Sequence, residues 1–315
     1  MNSAQKLTIV FFLFITFTAF SQNPVNVIQN APFILMEPNW EEVRLADSLN
    51  PGNRVSIPFL VDLSLKNSGT WTTDTHGFRK WNLLIEAPSS ALALAVLLDS
   101  FNLSEGAVLS VFEGDNHLPS VRFLSSDEAG SKKLLGFFGS NKIRLELFEL
   151  KEAEKSSSLH IFRLDYGYKP VFENKSDEIS LQKKQSLGFG ASEACHTNIN
   201  CPEGNIIEKE KNGVCRIYVV VKEGIGFCTG NLMNNTKKDG RPLILSAFHC
   251  QDGYTPMYEF WRFDFNYQSP NCTQPLTEPV FSSIQGATLL SSRRENDFLL
   301  FELSGSIPTS FNPYF

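Results

Sequence analysis

The sequence predicts an all-β chain built from two units, and three observations carry that expectation. Short apolar runs recur along most of the chain, broken by glycine, proline, asparagine and serine, with few stretches of helical period. One of them, Arg144-Leu145-Glu146-Leu147-Phe148-Glu149-Leu150, alternates with a clear period of two, as a strand does when one face meets a core and the other water. All six cysteines, Cys195, Cys201, Cys215, Cys228, Cys250 and Cys272, fall in the C-terminal part and none precedes them, which marks a boundary ahead of Cys195. A length of 315 residues with 42% hydrophobic content is enough for two packed cores.

The N-terminus reads as a targeting segment. Lys6 supplies a positive start, the apolar run Leu7 to Ala19 follows, and Ala19-Phe20-Ser21 puts small residues where a signal peptidase reads. Residues 1–21 are therefore expected to be a signal peptide cut after Ser21. The apolar run is shorter than the ~20 residues a bilayer-spanning helix needs, and no later stretch is long and apolar enough. The expected location is secreted or periplasmic, with no membrane association after cleavage. A net charge of −6, from 28 basic and 34 acidic residues, gives no reason to expect a nucleic-acid partner.

Residues 22–171 form the first unit. Its start, 22 to about 50, reads as irregular. Strands are expected at Ile57 to Leu65, Lys80 to Glu86, Leu92 to Leu98, Ala107 to Phe112, Leu134 to Phe138, Ile143 to Leu150 and Leu159 to Tyr166. Breakers such as Pro88-Ser89-Ser90, Gly114-Asp115-Asn116 and Gly139-Ser140-Asn141 separate them, and strands at this spacing argue a β-sandwich. Ala91 to Leu98 has the propensity of a helix, and its neighbours decide for a strand. His76, His117 and His160 sit in different segments and are read as surface or satisfied core histidines. Residues 172–192 are polar and then glycine-bearing, the composition of an exposed linker.

In residues 193–315, strands are expected at Val214 to Val221, Gly226 to Met233, Leu243 to Phe248, Tyr258 to Phe265, Thr288 to Ser291 and Phe298 to Leu303. Here the chain carries chemistry. The apolar run Leu243-Ile244-Leu245 ends in Ser246-Ala247-Phe248 and is followed by His249 and Cys250. Downstream, Glu295-Asn296-Asp297 opens another apolar run, Phe298 to Leu303. A histidine at one strand end and an acid at the start of a later strand are two thirds of a nucleophilic triad in the order His, Asp, Ser. No C-x-x-C pair exists, the cysteine spacings fit no zinc finger, and no metal or other cofactor is expected. Six cysteines in an exported chain allow 15 disulfide pairings, among which spacing does not choose.

From about Gly188 to Phe315 the chain resembles the start of a secreted trypsin-like serine protease, and within that class the bacterial lysyl endopeptidases. The residues that carry the resemblance are Cys201-Pro202-Glu203-Gly204, Cys228-Thr229-Gly230, Leu232 to Thr236, Leu245 to Cys250 and Asp297 to Leu303. It implies the first of the two six-stranded barrels of that fold, with disulfides Cys228–Cys250 and Cys201–Cys272. In the family the counterpart of Cys195 pairs with a cysteine far downstream, and Cys215 has no evident counterpart.

The resemblance makes His249 the general base and Asp297 its orienting acid, ahead of Asp264 and Glu295, because Phe298-Leu299-Leu300 after Asp297 matches the family. A serine hydroxyl needs such a base, and the base needs an acceptor on its other nitrogen. No glycine-flanked Gly-Asp-Ser-Gly or Gly-Ser-Ser-Gly stretch follows Asp297, and Ser304, Ser306 and Ser310 read as loop serines. The expectation is thus a serine endopeptidase precursor of lysyl endopeptidase type, truncated before its nucleophile and inactive as it stands. Its first unit would be a propeptide, and Lys183-Lys184 in the linker a natural cut site for a lysine-directed enzyme. A polypeptide is the expected substrate of a full-length chain, and a monomer the expected state. The alternative is a non-enzymatic secreted protein, a β-sandwich binding or adhesion module carrying a degenerate protease half. As half of a two-barrel enzyme, the segment from Cys195 would lack the second barrel's packing surface and is expected to be protease-sensitive and aggregation-prone, with residues 22 to about 170 as the stable core.

Overall fold

The computed structural model describes residues 31–50, 52, 54–125, 132–151, 155–170, 195–273 and 279–307. The expected signal peptide and linker lie outside the described residues, apart from the linker's neighbour Cys195. The first unit begins with β1 (Phe33–Ile34), helix α1 (Trp40–Leu49), β2 (Ser56–Ser64), β3 (Thr70–Thr73) and β4 (Phe78–Glu86). It continues through β5 (Ala93–Asn102), β6 (Val108–Glu113), β7 (Val121–Leu124), β8 (Lys133–Phe138), β9 (Lys142–Leu150) and β10 (Ser158–Gly167). The second unit contains β11 (Val214–Val221), β12 (Gly224–Met233), β13 (Leu243–Ser246), β14 (Arg262–Phe265), β15 (Ser282–Gln285), β16 (Ala287–Arg293) and β17 (Phe298–Leu303).

The first unit is a β-sandwich. One sheet runs β1-β4-β9-β6-β7 with β3 added on β4, and the other runs β2-β10-β5-β8. Between them lie Trp81, Leu83 and Ile85 of β4, Leu145 and Leu147 of β9, Leu94, Val96 and Leu98 of β5, and Ile161, Leu164 and Tyr166 of β10. The alternation read in β9 is the pattern of its burial, with Leu145 and Leu147 inside and Glu146 and Phe148 facing out. The expectation of an irregular start is corrected by α1. Asn39 caps it by accepting from the backbone N–H of Glu41 at 3.2 Å, and its side-chain amide donates to the Glu42 carboxylate at 2.8 Å.

The second unit is a barrel. Its sheet runs β15-β14-β11-β12-β13-β17-β16, and its two ends are consecutive in sequence, separated only by Gly286. Counted as one bent strand, β15 and β16 close the sheet into six strands. Gly286 turns the corner at φ +89°, where an added Cβ would lie 2.9 Å from the Ser304 hydroxyl, so the bend needs a residue without a side chain. Trp261, Phe263 and Phe301 fill the interior, and the buried Trp261 indole N–H donates to the Val220 carbonyl at 2.8 Å. Two expected strands are shortened: β13 ends at Ser246 and gives way to a 3-10 turn at Phe248–Cys250, and Tyr258–Phe260 is a 3-10 turn ahead of β14.

The two cores meet at one strand. β5 is buried on both faces, so that Ala93, Ala95 and Leu97 join the cluster of the barrel while Leu94, Val96 and Leu98 join that of the sandwich. Val55, Leu134 and Phe137 also enter the barrel's cluster. The sandwich therefore packs directly against the barrel, through β5 above all.

Candidate active site

His249 and Asp297 meet because β13 and β17 are antiparallel neighbours. Ser246 pairs with Leu299, so the C-terminal end of β13 lies beside the N-terminal end of β17. Three residues beyond Ser246 comes His249, and two before Leu299 comes Asp297. Each is held by its own turn. The Cys250 N–H donates to the Ala247 carbonyl at 3.2 Å, and the Cys228–Cys250 disulfide anchors that turn to β12. The Ser246 hydroxyl donates across to the Thr229 carbonyl at 2.8 Å. Asp297 follows the 3-10 turn Arg294–Asn296 in a left-handed conformation, φ +49° and ψ 51°, one that aspartate adopts more readily than bulkier residues.

The geometry of the pair is specific. One Asp297 oxygen accepts the His249 backbone N–H at 2.8 Å, and the other lies 2.8 Å from ring Nδ1. A carboxylate facing Nδ1 selects the tautomer with the proton there, which leaves Nε2 as the acceptor. The ring bond and then the backbone bond hold the Asp297 carboxyl below its ordinary range. His249 remains 61% exposed at its side chain, so Nε2 chemistry is open to solvent and to an incoming group. The pair can thus take a proton from a hydroxyl at Nε2 and stabilise the resulting imidazolium through Asp297.

The competing acids lie elsewhere. Asp264 is buried between Arg216 and Arg262, with a Ser283 hydroxyl donating at 2.6 Å. Glu295 is exposed and paired with Arg293. Ser304 follows the opposite end of β17 from Asp297, about 20 Å away along a strand of this length. Ser306 is further on, and Ser310 lies outside the described residues.

Both expected disulfides are formed, Cys228–Cys250 and Cys201–Cys272. Cys195 is a free exposed thiol. Cys215 is free but buried; burial pushes its thiol far above the ordinary range, which keeps it protonated and inert. Cys228, Cys250 and His249 bring ligand-type atoms within 4.8 Å of one another, yet the two sulfurs are spent on each other and offer no thiolate to a metal. A cleft of about 560 Å³ opens between the units, lined by Lys133, Phe137, Tyr218, Arg262 and Phe281 among others, and contains neither His249 nor Asp297.

Sequence reasoning missed three supports of the site. They are the bond from the His249 backbone, the left-handed turn at Asp297, and an Arg294–Asp252 ion pair of 3.0 Å linking the two loops that carry the pair. The signal for the first two was the short Glu295-Asn296-Asp297 turn itself. The third joins residues too far apart in sequence to be read.

The comparison with known families agrees with where this geometry lies. Residues 189–315, which include both members of the pair and both disulfides, match the family model described as the lysyl endopeptidase C-terminal domain, and the protein is in that part lysyl endopeptidase-like.

Proposed function

We propose that this chain is the precursor of a secreted serine endopeptidase of lysyl endopeptidase type, with residues 22–171 as its propeptide and His249 and Asp297 as base and orienting acid. The observation that carries the reading is the double bond-acceptor role of Asp297 toward His249. In the reaction, His249 Nε2 takes the proton of a serine hydroxyl as its oxygen attacks the scissile carbonyl. Asp297 holds Nδ1–H and stabilises the imidazolium, which then protonates the leaving amine. After Asp297 the 315 residues hold no serine with glycine on both sides, so this reading assigns the base and the acid and leaves the nucleophile unassigned. Preference for lysine rests on the family match alone.

The test is to read the coding sequence past the codon of Phe315 and assay its full product on a fluorogenic lysyl peptide. The expected result is a glycine-flanked serine downstream, with turnover that His249→Ala cuts by on the order of 10⁴-fold or more. A stop codon directly after Phe315, with no turnover, would sink the reading in favour of a non-enzymatic sandwich carrying a degenerate protease half.

A further inference from the structure

The outer face of the β2-β10-β5-β8 sheet is built unlike a sheet face that meets water. At its centre Ala93, Ala95 and Leu97 are fully buried and small or aliphatic. Beside them, on β10, stand Arg163 and Asp165, 1% and 0% exposed. A buried charge pair needs every donor and acceptor satisfied, and here the barrel completes the set. Arg163 grips both Asp165 oxygens, from Nε at 2.6 Å and Nη2 at 2.8 Å, and its Nη1 donates to the Val221 carbonyl of β11 at 2.6 Å. Asp165 also accepts from the Ser56 hydroxyl at 2.7 Å, and that hydroxyl accepts the Ile225 N–H of β12 at 2.8 Å. The Val55 N–H donates to the Ile225 carbonyl at 2.8 Å, and Arg54 forms a β-bridge with Gly226. The backbone of the β11-β12 hairpin is thus received by a polar socket in the sandwich.

All of these contacts lie on residues 221–226, whereas His249 and Asp297 bond each other within the barrel and are half exposed or more.

We infer that this sheet face is a dedicated binding surface for the barrel, and that the sandwich remains on it as a non-covalent partner once the connection between the units is cut, without covering the His249–Asp297 pair. The Arg163–Asp165–Ser56 socket holds the complex together. The exposed Lys132–Glu259 pair at the rim, 2.9 Å apart, contributes little. The inference does not depend on the chain being a protease.

The test uses the full chain with a cleavage site for a sequence-specific protease inserted between residues 180 and 181. After cutting, the two fragments should co-elute at low micromolar concentration and appear as a one-to-one complex by native mass spectrometry. Arg163→Met leaves Asp165 charged without its cation and should weaken the complex on the order of a hundredfold or more. Lys132→Ala should change it within about fivefold. Should Arg163→Met leave the uncut chain without near-UV circular dichroism, Arg163→Lys is read in the same assay. It keeps a charge for Asp165 but cannot also reach the Val221 carbonyl, and tenfold weakening is expected.

Wild-type fragments that separate on cutting would overturn the inference, as would Arg163 and Lys132 variants that behave alike. Carbethoxylation by diethyl pyrocarbonate reads the uncovered site: in the cut complex His249 should react at a rate comparable with His76, whose side chain is 82% exposed. Protection of His249 that vanishes with Arg163→Met would show that the sandwich covers the pair.

Discussion

Asp297 binds His249 twice, once through the ring Nδ1 and once through the main-chain N–H, each at 2.8 Å. The second bond matters because a ring alone can swing about its side-chain torsions. A carboxylate that also holds the backbone of the same residue fixes the turn from which the ring projects.

These bonds favour the ionised carboxyl in the folded state, which lowers its midpoint. The stability that Asp297 contributes is therefore present above the unfolded value of about 3.9 and is lost as pH falls through the folded midpoint. Carbon-detected NMR titration should place Asp297 below about 3.9, and His249→Ala should move it upward. A wild-type midpoint at or above the ordinary value would mean that the two bonds are not kept in solution.

The Cys228–Cys250 disulfide closes a loop with a sequence separation of 22 residues, and its removal should cost about 3 kcal/mol by chain entropy. Denaturant unfolding of the Cys228→Ala, Cys250→Ala double variant reads that cost. A peptide map of the purified protein without reduction should show the two cysteines linked. Two free thiols there would remove the anchor from the His249 turn.

How much of this was readable in advance differs from element to element. The alternation in β9 gave its inner and outer faces directly. The run Ala91 to Leu98 shows no alternation, and that is itself a signal, because a strand covered on both faces is apolar throughout. What covers its second face, the barrel, lies too far along the chain to be read from that run. The start of α1 has a sequence signal too, an N-cap asparagine followed three residues later by Glu42. The socket of Arg163, Asp165 and Ser56 was beyond reach: its partners Val221 and Ile225 lie 58 and 169 residues away along the chain. That His249 and Asp297 meet was legible because each stands at an apolar run. The turn conformations that aim them were not, since these follow from strand register.

His160, which the sequence suggests is a surface or satisfied core histidine, is held between Asp99 at 2.6 Å and Asp62 at 3.0 Å. The bond to Asp99 is the main cause that raises its midpoint above the ordinary value. The stabilisation is thus complete below the unfolded value of about 6.5 and is lost as pH rises through the folded midpoint. Proton NMR should titrate His160 above about 6.5, and Asp99→Asn should lower the midpoint more than Asp62→Asn, whose carboxylate is 82% exposed. Equal effects would contradict the assignment of Asp99 as the stronger partner.

Gly286 is the hinge on which barrel closure depends. Gly286→Ala places a side chain in a left-handed backbone and against Ser304, at a cost of about 1–3 kcal/mol. Thermal unfolding should register that loss, with the sandwich still folded at ambient temperature. A variant as stable as the wild type would mean that the corner relaxes to an ordinary conformation.

The two faces of β5 offer a test of how the units share stability. Leu97 and Leu98 are adjacent and both fully buried, but Leu97 packs with the barrel's cluster and Leu98 with the sandwich's. Truncating either to alanine removes similar apolar surface and leaves a cavity, costing about 2–5 kcal/mol. If one cooperative unit spans both cores, Leu97→Ala and Leu98→Ala should each shift a single unfolding transition, and tryptophan fluorescence and far-UV dichroism should follow it together. If the sandwich is independent, Leu98→Ala alone should lower its melting, and Leu97→Ala should split the trace by loosening the barrel first. The continuous packing through β5 argues for the single transition, and two separated transitions in the wild-type chain would refute it.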